Sequence, residues 1–171
     1  RTRTARSIAI IFAVFNILYF TNLIPPLPLS IKEAGVYHDV TRQSDGTYKL
    51  LGEASPWYER YLLYRTQFHL AQPGDPVFVF TSIFAPSGLE TAIVHEWQKY
   101  NAQKREWGTD STVSFSIVGG RDGGYRGFSQ KFNITEGDWR VNVLTEEHRL
   151  IGQVSFSVSA TSGAQYIETT Q

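Results

Sequence analysis

The sequence predicts a mainly β protein: an antiparallel, immunoglobulin-like β-sandwich preceded by one transmembrane α-helix. Three observations predict it. An uncharged apolar run, Ile8–Ile24, follows three arginines. After Ser30 the apolar residues change from continuous to alternating, the period of a half-buried strand. Gly, Pro and Asp turn signals then cut the alternating region at regular spacing. On this reading residues 1–30 are a basic flank, the membrane helix and a proline-rich junction. Residues 31–160 are the sandwich, and 161–171 a flexible tail.

The N-terminal run reads IAIIFAVFNILYFTNLI. As a helix it rises roughly 25 Å, slightly less than the ~30 Å hydrocarbon core of a bilayer. Tyr19 stands where an interfacial anchor belongs. Pro25, Pro26 and Pro28 end the helix, since proline lacks the N–H and clashes with the preceding turn. A cleaved signal peptide is the second reading, but no small-x-small site precedes the prolines. A buried core helix is the third, and the lack of a polar stripe argues against it. In the first reading Arg1, Arg3 and Arg6 stay in the cytoplasm and the body lies on the far side. Asn16 is costly in lipid unless it faces another helix, so the run is expected to close a bundle. The chain starts on Arg and holds no Met, so it is expected to continue a longer protein.

The body supplies the strands. Val113, Phe115 and Ile117 alternate with Ser114 and Ser116. Trp139, Val141 and Val143 alternate with Arg140 and Asn142, and Val154, Phe156 and Val158 with serines. Ser44-Asp45-Gly46 between Val36–Arg42 and Tyr48–Gly52 predicts a hairpin. Pro73-Gly74-Asp75-Pro76 predicts a tight loop before a strand at Val77–Phe84. Further strands are expected at Tyr61–His69, Ala92–Tyr100 and Gly124–Phe132, with one helical turn around Pro56–Arg60. A small barrel is the alternative architecture.

Composition narrows the functions. The 171 residues carry no net formal charge. Without the three N-terminal arginines the body is mildly acidic, so it lacks the basic footprint of a nucleic-acid binder. The absence of cysteine excludes disulfides, thiolate metal sites and cysteine nucleophiles. None of His38, His69, His95 and His148 is spaced from another as a local metal fork. No G-x-S-x-G elbow occurs. Hence no catalytic residue, metal or cofactor is expected.

The sequence His95-Glu96-Trp97 stands out. In a strand, His95 and Trp97 share one face, which predicts a core tryptophan with a histidine at the sheet rim. Gly119–Gly127 is glycine-rich but lacks the lysine and following helix of a phosphate loop; a long hairpin loop is expected, with Arg121 and Arg126 exposed. His148 is expected in a hairpin turn.

Several segments together resemble a bacterial family, the domain of unknown function 2914. They are VFVFTSIFAPSGLETAIVHEWQKYN and GYRGFSQKFNITEGDWRVNVLTEEHRLIGQVSFSV. The resemblance rests on His95-x-Trp97, Arg126 with Ser129-x-Lys131, Gly137-x-Trp139-Arg140-Val141-x-Val143, and Phe156-x-Val158. The junction LYFTNLIPPLPLSIKEAGVYH also looks like that of the multi-spanning members, so the likeness runs from about Leu18 to Val158. One departure is Gln103–Asp110, which reads as an insertion and a longer loop. The resemblance implies a bacterial inner-membrane protein with several upstream helices and a periplasmic C-terminal β-domain. It implies no catalytic residues.

The expected function is a binding or interaction module for an envelope glycan or protein, held to the bilayer by residues 8–24. Aromatic rings suited to stacking and a mobile loop make Trp57, Tyr58, Trp107, Arg121, Tyr125 and Arg126 the candidate binding residues. Two other readings are a structural or oligomerising domain, and an accessory domain of a membrane enzyme using His38 or His95 as general base.

Overall fold

The computed structural model describes residues 2–20, 29–54, 66–70, 72, 74–85, 90–118, 124–160 and 165–171. Helix α1 (Thr2–Phe20) leads into strands β1 (Ser30–Tyr37), β2 (Asp39–Arg42), β3 (Tyr48–Glu53) and β4 (Thr66–His69). Then follow β5 (Val77–Phe84), β6 (Glu90–Asn101), β7 (Glu106–Val118) and β8 (Tyr125–Lys131). The chain ends with β9 (Gly137–Thr145), β10 (Leu150–Ser159) and β11 (Tyr166–Thr170). The protein is mainly β, and its described strand pairs are antiparallel except β4 with β10, which is parallel. The proposed helical turn at Pro56–Arg60 lies outside the described residues.

Among the described residues three sheets form, in the orders β1-β5-β8, β4-β10-β9-β6-β7 and β11-β3-β2. The expectation was a two-sheet sandwich, and the third sheet adds a layer. Strand β5 shows why. Val77 and Val79 pack with Trp97, Trp139, Val141 and Phe156 of the five-stranded sheet. The alternate residues Phe78 and Phe80 pack with Val40, Tyr48 and Leu50 of the third sheet. A strand buried on both faces must be apolar on both, hence the unbroken run VFVF. Ile83, Ile93 and Val143 form a further cluster, with Ile31 and Phe115 packed against it.

Two local readings change. Residues 166–170 do not fray: β11 pairs with β3, and the Gln171 and Tyr48 N–H groups each donate to the other's carbonyl at 2.8 Å. Polar Glu168 and Thr170 conceal a strand whose stability comes from its partner. The stretch Gln103–Asp110 is not a long loop, because β7 already starts at Glu106. The β6–β7 connection is tight: Asn101 Oδ1 accepts the N–H groups of Gln103 at 3.0 Å and Lys104 at 3.1 Å, and Arg105 takes φ 55°. The additional residue is absorbed as a register shift at Trp97/Gln98. The Asp45-Gly46 turn forms as expected, with Gly46 at φ 87°.

Helix α1 presents Ile8, Ile10, Ile11, Phe12, Val14, Phe15 and Ile17 as exposed side chains. Its apolar portion Ile8–Phe20 rises roughly 20 Å. Among the described residues no helix is long and apolar enough to cross a membrane. Residues 21–24 of the expected span lie outside the described set.

Candidate functional site

The outer face of the five-stranded sheet carries an ordered polar row. Period two sends Trp139, Val141 and Val143 of β9 into the core and Arg140 and Asn142 out. On β6, Glu96 faces out, and after the register shift so do Gln98 and Tyr100. Gln98 lies between Arg140 and Thr109, and Tyr100 directly opposes Trp107.

These groups bind one another. The Arg140 Nε–H donates to Gln98 Oε1 at 2.7 Å, and the Gln98 amide donates to Glu96 Oε2 at 2.9 Å and Thr109 Oγ1 at 3.2 Å. Glu96 also accepts from Thr109 at 2.8 Å and Asn142 at 3.0 Å. The Asn142 amide does most to hold the Glu96 carboxyl below its ordinary range. Gln153 extends the row by donating to Asn142 Oδ1 at 2.7 Å. At the other end the Arg140 guanidinium lies 4.3 Å from the Trp107 ring centroid, a cation–π stack. Tyr100 tilts against Trp107 at 5.2 Å. The result is a fixed surface of planar polar groups bounded by two aromatic rings.

A second polar system lies inside. His95 and Trp97 are both fully buried, so His95 is not at the rim. Between the sheets it meets Thr81 Oγ1 at 3.0 Å through Nε2 and Ser129 Oγ at 2.9 Å through Nδ1. Trp97 Nε1–H donates to Ser129 Oγ at 3.0 Å. One proton arrangement satisfies every member. Ser129 accepts from Trp97 and donates to His95 Nδ1; His95 Nε2–H donates to Thr81, which donates to the Gly127 carbonyl at 3.5 Å. Burial lowers the His95 pKa from 6.5 to about 4, so the ring is neutral at pH 7. It is sealed from solvent, and both ring nitrogens are taken up by core partners.

A third system joins the β1–β2 junction to the ends of β3 and β4. Glu53, at the end of β3, accepts from His38 Nε2 at 3.0 Å and His69 Nδ1 at 2.7 Å. It also takes the His69 backbone N–H at 2.6 Å. Burial pushes its carboxyl up, but the contacts from His38 and His69 outweigh that and hold it below the ordinary range. His38 stacks on Phe68 with centroids 4.3 Å apart. A cavity of about 170 Å³ adjoins, lined by Glu53, Tyr37, Phe68 and Thr169 but by neither histidine. Glu53 thus sits between two imidazoles as a clasp. Among the described residues no group of three His, Cys, Asp or Glu is placed to hold a metal ion.

The six candidate binding residues do not converge. Trp107 lies on the outer face, half-buried under Arg140. Tyr125 and Arg126 belong to β8 of another sheet, not to a loop, and Tyr125 packs against the cluster around Ile83. Trp57, Tyr58 and Arg121 lie outside the described residues. Sequence reasoning missed Tyr100 as a partner of Trp107, and Glu96, Gln98, Thr109 and Asn142 as members of the same row. Their signal was present: each occupies an outward position of a strand. The alternative general bases also separate, His38 to the clasp and His95 to the core.

Residues 90–158 match the family described as "Protein of unknown function (DUF2914)". This covers the C-terminal portion of the expected likeness. No curated protein matches the chain. Among solved structures, a Pseudomonas fluorescens alkylpurine DNA glycosylase bound to DNA is similar over 84% of this chain, at 10% identity and a TM-score of 0.44. The match spans only 33% of the glycosylase. An immunoglobulin-like protein from Pseudomonas aeruginosa is similar over 79% of this chain and 99% of its own, at 14% identity and a TM-score of 0.35.

Proposed function

We propose that this chain, whose residues 90–158 belong to the DUF2914 family, is an interaction module for a glycan or protein of the bacterial envelope. The observation that carries the reading is the outer-face row ending in Tyr100, Trp107 and Arg140. Interfaces are enriched in Trp, Tyr and Arg. A row of planar donors and acceptors beside an aromatic ring is also the chemistry that fixes a sugar. Because the row is already hydrogen-bonded within itself, little side-chain entropy remains to be lost on docking.

The same proposal includes a membrane tether. Support comes from the apolar side chains that α1 leaves exposed, since such surface calls for lipid or a partner. Support also comes from the arginines that precede it, which would stay on the cytoplasmic side and place the β-body in the periplasm.

The test is co-sedimentation of the full chain with purified peptidoglycan sacculi, and in parallel a pull-down from solubilised envelope proteins. Binding in either assay that drops at least tenfold in Trp107→Ala and in Arg140→Ala supports the outer face as the site. Binding that both variants retain in full overturns it.

A further inference from the structure

The five-stranded sheet has an edge unlike the others. A strand edge presents unpaired N–H and C=O groups to any chain that can reach it, and proteins blunt such edges with short strands, bulges or charge. Here β2, β4 and β11 are short, of four, four and five residues. Strand β1 carries an exposed Lys32 beside a register shift at Ile31/Glu33. Strand β8 carries Arg126 and Lys131. Strand β7 is 13 residues long and pairs among the described residues with β6 alone. From Ser111 to Val118 it contains no charge and no proline, and its pairing with β6 runs there without a register shift.

We propose that β7 is a self-association edge, where a second copy of this chain pairs antiparallel about a two-fold axis at Ser114. The strand is its own complement. About Ser114, Thr112 falls opposite Ser116, a hydroxyl pair, and Val113 opposite Phe115, a β-branched residue against an aromatic; both are favoured cross-strand pairs. The alternation is in phase, so polar residues stay on the outer face and apolar ones on the inner. Thr112, Ser114 and Ser116 are exposed, and Val113 and Phe115 only half-buried. The partner's Phe115 and Val113 cover the apolar surface left open at this end of the sandwich. Phe115 is held for the purpose: a Cβ at Gly127 would come within 2.4 Å of its ring, so only glycine lets β8 pass so close. The two sheets then become one of ten strands, and the contact is isologous. This inference rests on the strand edge and does not depend on the outer face binding a glycan or protein.

The chain has no cysteine, which permits a direct test. Under mild oxidation in neutral detergent, full-length Ser114→Cys forms a disulfide-linked dimer, because residues facing each other across the axis have Cβ atoms about 5 Å apart. Thr112→Cys and Ser116→Cys alone do not, since each is displaced from its own copy by about 13 Å along the strands. If one of those two links instead, the edge pairs in another register and the axis at Ser114 is overturned. In light scattering the unmodified chain has the mass of two copies. Thr112→Lys/Ser116→Lys, which sets like charges opposite each other on exposed positions, has the mass of one, and Thr112→Lys/Ser116→Glu regains two. A monomeric unmodified chain overturns the proposal. So does association that survives the double lysine variant, as pairing through α1 would.

Discussion

The two histidine systems make an instructive comparison. His95 is sealed in the core and meets only neutral partners, Thr81 and Ser129. His38 and His69 lie near the surface and meet a carboxylate, Glu53. The same side chain is held neutral in the first case by desolvation, and in the second is paired with an anion. Desolvation disfavours a charge, whereas an opposite charge favours it. The core site therefore tolerates no second ring proton on His95, while the clasp depends on the Glu53 carboxylate remaining charged.

The largest expected effect comes from breaking the core chain. Ser129→Ala leaves both the Trp97 N–H and His95 Nδ1 buried without a partner, at roughly 1–3 kcal/mol each. A fall in the urea midpoint at pH 7 equivalent to roughly 2–6 kcal/mol is expected. A change below about 0.5 kcal/mol would show that the chain contributes nothing.

Acid comes next. The folded His95 pKa of about 4 lies below the ordinary 6.5, so the unfolded chain takes up the proton first. The stability His95 contributes is complete above pH 6.5 and is lost as the pH falls toward 4, by about 3 kcal/mol. Glu53 acts further down. Its depressed carboxyl contributes stability above 4.5 that is lost as the pH falls through its folded value. Urea titrations across this range separate the two, because Glu53→Gln retains the loss between pH 6.5 and 4.5. If that variant is flat there, the clasp and not the core histidine carries the acid response.

Glu53→Gln at pH 7 itself is expected to cost about 1.5–3 kcal/mol, the scale of a hydrogen bond to a charged group. Hydrogen exchange localises the effect, with β3 and β11 opening before the five-stranded sheet. Uniform loss of protection would mean that the clasp does not separate the sheets. The smallest stability effect belongs to the outer face. Trp107→Ala at its half-exposed position should cost about 1 kcal/mol or less. A larger cost would move Trp107 from the surface to the fold.

Much of this was legible in the alternation of single strands. Trp139, Val141 and Val143 were assigned inward and Arg140 and Asn142 outward because period two is a local property. Trp107 was picked out as an aromatic, yet its ring is covered by a guanidinium 33 positions further along the chain. Only the strand order β9-β6-β7 brings them together. His38, His69 and Glu53 are likewise scattered, at the β1–β2 junction, in β4 and in β3, and no spacing along the chain joins them. The tail misled for a related reason: Tyr166–Thr170 has little apolar content, and its place depends on the free edge of β3.

By itself the sequence determined the mainly β class, the hairpin at Asp45-Gly46, the burial of Trp97 and Trp139, and the exclusion of cysteine chemistry. These follow from period, turn residues and composition, all of which act over a few positions. Tertiary structure alone decided that β5 is covered on both faces, that Glu53 holds two imidazoles, that Arg140 stacks on Trp107 and that β7 is left at an edge. Each depends on which strands become neighbours. That choice is made by burial and backbone pairing over the whole chain, where distance along the sequence carries little information.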